Sequence, residues 1–290
     1  MSNKIAIVTD SNSNILPEEC TNLGVYVLPM PFLINGKAYF ENVNLSQEEF
    51  YNLLDEQANV STSQPSIGEV YELWTELLKT YDEIVHIPMS SGLSSTCNTA
   101  QNLAKEFDGK VQVVDNHRIS VLLKASVFDA IKLRDEGKTA AEIKEYLENT
   151  GNLSSIYITV DTMKYLKRGG RITPAAAMIG GILKIKPILQ IHGQTLDKYA
   201  LARSMMKAKE TMKAAIKQDL ETRYAKYHEK GEMILCMAYT GDRAEAELYC
   251  EELKKDFPNM PIHFRAPLPL SISCHIGPKA LALGVAKILK

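Results

Sequence analysis

Two hydroxyl-rich stretches and one histidine are the groups in this chain best suited to holding an anion. SSGLSST (Ser90–Thr96) follows the short apolar run EIVHIP and precedes a helix-period segment with Ala100, Leu103, Ala104 and Phe107 on one face. Locally that reads as a strand, a turn with one glycine, and the first turn of a helix. Free backbone N–H groups and the positive end of the helix dipole meet there, so the spot suits a carboxylate or phosphate. STSQPS (Ser61–Ser66) stands before a second helix opening. Its hydroxyls add hydrogen bonds without adding charge. Neither stretch contains a nucleophile–base pair.

In an open α/β sheet, adjacent helix N-termini face one crevice at the carboxyl ends of the strands, which makes Thr62 and Ser94 candidate joint donors to one head group. N-capping is the competing role. Ser66 and Ser95 are assigned to it, while for Thr62 and Ser94 capping and ligand donation both stay open. His275, in SCHIGPKALALG, precedes Gly-Pro and what reads as a helix start. Its ring N–H can serve a carboxylate, although a lone histidine is more often structural. Asp10 and Asp115 close strands, where turn and cap duties are common, and nothing pairs them as acid and base.

A third constellation is electrostatic. Between Thr162 and Leu196 lie Lys164, Lys167, Arg168, Arg171, Lys184 and Lys186, with no Asp or Glu. Such a field in a weakly negative protein can steer an anion or dock an acidic partner, although a solvated cationic face accounts for most charge runs. Gly169-Gly170 lets the backbone bend sharply beside the Arg171 guanidinium. The following PAAAMIGGIL is apolar and rich in small residues, leaving room for a helix or an alkyl chain to pack.

These groups must be positioned by an alternating frame. KIAIVT, EIVHIP and KVQVVD read as buried strands, and Asn35-Gly36 as a hairpin turn. Ser46…Glu49 and Ser66…Glu69 are capping boxes. The second opens a helix with Ile67, Val70, Tyr71, Trp74, Leu77 and Leu78 on one face. Helices are expected near 119–135 and after Thr139. The second half starts with SSIYITV. A hairpin around His192-Gly193, a long helix over 203–228, a strand over 232–239, a helix over 243–256 and the strand PIHFR follow, with a helix after Gly277 closing the chain. The expectation is an α/β protein of two domains, 1–152 and 153–290. The first carries a mostly parallel sheet flanked by helices, the second a partly antiparallel one.

Bulk properties narrow the function classes. The 290 residues are 45% hydrophobic and 23% charged, an ordinary folded composition, and the net charge of −2 argues against a general nucleic-acid binder. No apolar run reaches the roughly 20 residues of a membrane span, and MSNKIAIVTDS enters a strand without signal-peptide architecture. Five cysteines lack zinc or CxxC spacing, consistent with a reducing cytoplasm and no metal. Walker A, GxGxxG, HExxH and GxSxG motifs are absent.

The ordered set IVTDSNSN, TSQPS, SSGLSST, VVDN, LKRGGRI, KIKPIL with Gly193, Lys198 and Arg203, and HIGPKALALG resembles the DegV family of bacterial fatty-acid-binding proteins along essentially the whole chain. The resemblance implies a long-chain fatty acid as ligand and no cofactor. It implies that Thr62 and Ser94 hold the acyl carboxyl, with His275 close by and Arg171 and Arg203 near the exposed end. It further implies a cytoplasmic, non-enzymatic protein that presents its ligand to a separate ATP-dependent fatty acid kinase, whose acyl phosphate feeds phospholipid synthesis. Transient membrane contact is compatible with this role. Met163, Met178, Ile179 and Leu183 are candidates for the tail-binding wall. Lys279 departs from the family's HxGPGA pattern by replacing its second glycine. The alternatives are an enzyme acting on a small carboxylate or phosphate through Asp10 or His275, and a regulatory module whose lipid occupancy a partner senses.

Overall fold

The computed structural model describes residues 3–55, 58–179, 185–191 and 195–290. The chain opens with β1 (Ile5–Asp10), α1 (Pro17–Leu23), β2 (Val25–Leu28), β3 (Pro31–Ile34), β4 (Lys37–Phe40), α2 (Gln47–Asp55) and β5 (Val60–Thr62). Next come α3 (Ile67–Leu77), β6 (Glu83–Ile87), α4 (Thr96–Ala104), β7 (Val111–Val113), α5 (Ser120–Asp135) and α6 (Ala140–Gly151). The second half holds β8 (Ser154–Thr159), α7 (Lys164–Gly169), α8 (Pro174–Ala177), β9 (Lys186–Ile191), β10 (Asp197–Ala202) and α9 (Met205–Glu221). It ends with α10 (Ala225–Glu229), β11 (Met233–Tyr239), α11 (Arg243–Asp256), β12 (Ile262–Pro267), α12 (Leu270–Ile276) and β13 (Leu281–Lys287).

Four strands form a parallel sheet in the order β2-β1-β6-β7. β1 is buried along its whole length because both faces are covered. Ala6, Val8 and Ile84 pack with Trp74 and Cys97 of α3 and α4, while Ile5, Ile7 and Val85 belong to the core that includes α5. The second sheet runs β10-β9-β8-β13-β11-β12 and is mixed, with β11–β12 parallel and its other pairs antiparallel.

α5 lies between the two sheets, packing on β1 and β6 of one and on β11, β12 and β13 of the other. That position explains its composition. Val121, Leu122, Leu123, Ala125, Ser126 and Val127 are buried, as expected of a helix covered on most sides, and exposure is confined to a stripe through Phe128, Lys132 and Asp135. One apolar core therefore runs from Ile5 to Ala286 across residue 152, which itself falls between α6 and β8. A small antiparallel sheet from the first half, β4-β3-β5, packs across the same line, Phe32 and Val60 against Leu270 and Cys274 of α12.

The Asn35-Gly36 hairpin forms with both residues at positive φ (52° and 82°), the Ser46 and Ser66 helix starts carry the expected reciprocal bonds to Glu49 and Glu69, and Thr139 makes the same pair of bonds with Glu142. Three expectations are corrected. The segment after Gly277 is a strand, because β13 is inserted between β8 and β11 and buried on both faces, which erases the period that separates strand from helix. The helix expected over 203–228 breaks after Glu221, where Tyr224 turns inward and its hydroxyl donates to the Ser154 carbonyl at 2.8 Å. The stripe on α3 is wider than the surface it covers: Val70, Trp74 and Leu77 are buried, but Ile67 and Tyr71 stay exposed.

Candidate functional site

β1 and β6 are neighbours whose next partners lie on opposite sides, so the crevice at their carboxyl ends is the switch point where open α/β sheets bind ligands. A cavity of about 330 Å³ occupies it, within the usual range for small-molecule sites. Thr62, Ser63, Gln64, Ser94, Ser95, Arg171 and His275 all line it. The two hydroxyl loops and the histidine, far apart in sequence, thus share one wall.

The loops are tied together by a residue that sequence reasoning passed over. Gln64 Oε1 accepts hydrogen bonds from Ser95 Oγ at 3.0 Å and Thr99 Oγ1 at 3.1 Å. Ser95 is therefore a bridge rather than a cap. Ser94 Oγ accepts the Thr96 backbone N–H at 3.2 Å and lies 2.8 Å from Thr96 Oγ1, so a capping duty falls on it. If the Thr96 hydroxyl donates in that pair, the Ser94 proton is left for a ligand. Asp115 supports the loop by accepting the Ser91 N–H at 3.2 Å.

His275 stands in the last turn of α12, not before a helix. Its Nε2 lies 2.8 Å from Thr62 Oγ1, while its buried Nδ1 has no hydrogen-bond partner. Burial, reinforced by the nearby Arg171 guanidinium, lowers its pKa to about 4, so the imidazole is neutral at physiological pH. A neutral ring with its proton on Nε2 donates to the Thr62 oxygen, which frees the Thr62 proton for an anion. Gly169 makes room for this ring, since a side chain there would overlap Nδ1. Gly277, at φ +78°, ends α12 where any side chain would strike the Tyr165 ring.

The basic segment acts on the same loops. Arg168 Nη2 donates to the Val60 carbonyl at 3.0 Å, and Arg171 Nε to the Leu93 carbonyl at 3.4 Å, bracketing the strand that carries Thr62 and the turn that carries Ser94. Lys186 pairs with Asp161, just outside the acid-free window. Arg203 is exposed beyond the end of β10 and does not line the cavity.

The rest of the lining is largely apolar, and its floor is the mixed sheet. Cys236 pairs with Gly284 and Ala238 with Ala282 on adjacent strands, so small side chains sit opposite one another beneath the open space. The alternate residues Leu281, Leu283 and Val285 face the second core with Met237 and Leu235. Ile156, Ile158 and Ile191 continue the floor, and Ile119, Val121 and Leu122 at the start of α5 form the roof. The proposed tail-binding residues fare differently. Met163 and Ile179 are buried in the core without lining the cavity, Met178 is 84% exposed, and Leu183 lies outside the described residues. The short helix α8 ends at Ala177, which leaves Met178 pointing to solvent. The usable signal was the small–large alternation of ALALG and CMA, read at period two.

Among the described residues, no cluster of three or more His, Cys, Asp or Glu side chains could hold a metal ion. No described helix is long and apolar enough to cross a membrane.

Comparisons with known proteins fit this geometry. A DegV domain-containing protein of Deinococcus radiodurans is 31% identical over 97% of this chain and 98% of its own length. One from Staphylococcus aureus strain N315 is also 31% identical, over 98% and 99%. Among solved structures, the chain is similar to a DegV family protein from Thermus thermophilus described as binding fatty acid (27% identity, TM-score 0.87, covering 98% of this chain and all of that one). It is likewise similar to DegV, a fatty acid binding protein from Bacillus subtilis (27% identity, TM-score 0.85, 99% and all). The model of the DegV family, described as one of uncharacterised proteins, matches residues 4–287, and the chain belongs to that family.

Proposed function

We propose that this protein binds a long-chain fatty acid with its tail in the cavity and its carboxyl at Thr62, Ser94 and His275. It then presents the carboxyl to a separate ATP-dependent fatty acid kinase, and the acyl phosphate enters phospholipid synthesis. The observation that carries the reading is an apolar cavity whose polar end is furnished by hydroxyls and a neutral imidazole beside one exposed arginine. The two relatives described as fatty acid binding support the ligand class. Burial of the tail supplies about 0.8 kcal/mol per methylene, so neutral donors at the head fix orientation more than affinity. A head group held this way stays open to phosphorylation, and Arg171 and Arg203 are the candidate contacts for the kinase.

Thr62 and His275 have the spacing of a nucleophile and its base, the feature that most favours the enzymatic alternative. Against it, no carboxylate orients His275 Nδ1, and a pKa near 4 makes a poor general base at neutral pH. The test is mass spectrometry of lipid extracted from the purified protein, followed by acyl-phosphate assays with and without an ATP-dependent fatty acid kinase. Co-purified acyl chains and kinase-dependent product are expected. Protein that is empty and binds no C14–C20 acid, or that turns over a small acid unaided, overturns the reading.

A further inference from the structure

We infer that the cavity carries a second polar station, built by Asn12, Ser120 and Ser271, that fits a hydroxyl substituent on the acyl chain near its carboxyl end. The inference rests on the fatty-acid reading and narrows its ligand class. The three residues come from separate elements: the turn after β1, the start of α5 and the first turn of α12. They are 1%, 3% and 7% exposed, and all three line the cavity. Ser271 and His275 are four apart on α12, hence on one face and about 6 Å apart along its axis. The station therefore lies about one helical turn from the head group rather than at the tail tip.

Its hydrogen bonding is unequal. Ser271 Oγ donates to Asn12 Oδ1 at 2.5 Å, and Ser120 Oγ donates to Asn14 Oδ1 at 2.8 Å. Both serine protons are thereby committed, while both oxygens keep acceptor capacity. The Asn12 amide nitrogen has two protons to place: one serves the Asp10 carboxylate, while the other meets Met89 Sδ at 2.9 Å, and a thioether is a weak acceptor. The wall thus offers a donor with a poor partner and two acceptors. An ionised carboxylate only accepts and gains nothing from acceptors, whereas a hydroxyl donates and accepts and matches both.

The arrangement is fixed in advance of any ligand. The buried Asp10 carboxylate accepts the Asn12 N–H at 2.9 Å and the Met89 N–H at 2.8 Å, holding both members of the mismatched pair. Ser120 keeps φ at +56°, a left-handed conformation that a serine holds only where its surroundings impose it. A plain chain would leave this amide facing methylenes, a wasted polar group in an otherwise apolar wall.

Calorimetric titration of delipidated protein tests the station. The ligands are octadecanoic acid, its hydroxy isomers at carbons 3 to 7, and the 12-hydroxy isomer as a distal control. The wild type is expected to bind at least one proximal isomer about threefold or more tighter than the plain acid, the size of one modest hydrogen bond. That ratio should fall to one or below in Asn12→Leu and shrink in Ser271→Ala. Proximal isomers binding no tighter than octadecanoic acid, or a ratio undiminished in both variants, overturns the station while leaving the fatty-acid reading in place. Absence of binding by every acid overturns both. The wild-type comparison needs no variant, so a substitution that fails to fold does not blunt the test.

Discussion

Thr62 Oγ1 lies 2.8 Å from His275 Nε2, joining the end of β5 to the end of α12 across 213 positions of sequence. The contact couples the candidate head-group site to the packing of the small antiparallel sheet on α12. Thr62→Val removes the hydroxyl and leaves Nε2 without its partner. Fatty-acid affinity should drop about 3- to 10-fold and unfolding free energy by about 1 kcal/mol, with Thr62→Ser retaining both. Calorimetry and denaturant titration check this; equal affinities for the valine variant and wild type would remove Thr62 from the site.

Gly169 and Gly170 should respond differently to alanine. At Gly169 the new methyl would overlap His275 Nδ1, whereas at Gly170 it meets nothing and adds only left-handed strain at φ +69°. Gly169→Ala is expected to displace the imidazole and weaken ligand binding severalfold. Gly170→Ala should lower stability by about 1 kcal/mol with affinity nearly kept. Matching binding losses in the two variants would contradict the role given to Gly169.

The floor sets the space open to a bound chain. Ala282→Leu adds bulk on the cavity side of β13, opposite Ala238. The acyl chains that co-purify should shift to shorter lengths, read by mass spectrometry of extracted lipid. An unchanged chain-length profile would place the tail elsewhere.

Lys279 holds φ at +58°, a left-handed conformation natural to glycine. Its backbone N–H still reaches the Thr240 carbonyl at 3.2 Å, so the loop keeps its path at the expense of strain. Lys279→Gly relieves about 1–2 kcal/mol of that strain and loses about half as much to chain entropy. A net gain of up to about 1 kcal/mol in thermal or denaturant unfolding is expected; destabilisation would show that the lysine side chain contributes more than its backbone loses.

His86 is fully buried against Trp74 with neither ring nitrogen partnered, and burial lowers its pKa from 6.5 to about 3. Between those values the unfolded chain binds a proton that the native state refuses, so this contribution is complete above pH 6.5 and is lost as pH falls toward 3. Asp10 and Asp129, raised to about 6 by burial, act in the opposite sense: their contribution is present below pH 3.8 and is lost as pH rises through 6. Two carboxylates outweigh one imidazole, so between about pH 4 and 6 these three groups together lower wild-type stability as pH rises. His86→Leu removes one side, so its stability relative to wild type should improve by more than about 1.4 kcal/mol between pH 6.5 and 4. Parallel stability–pH curves for the two proteins would exclude the histidine as the cause.

Much of the frame was written locally in the sequence. Capping boxes at Ser46, Ser66 and Thr139 act over three residues, and the Asn35-Gly36 turn over two, so short-range chemistry determined those boundaries. Hydroxyl-rich stretches before helix starts singled out Thr62 and Ser94 for the same reason. What tertiary structure decided was everything that depends on which surfaces are covered. ALALGVAK is apolar on both sides because α5 covers one face of β13 and the α9–α11 layer the other, and such a run carries no period to tell strand from helix. The cavity arises where Gly284 meets Cys236 and Ala282 meets Ala238 across two strands, a pairing that exists only once the sheet has formed. The neutrality of His275 is likewise a product of burial, since desolvation, not the residues beside it in the chain, sets its pKa.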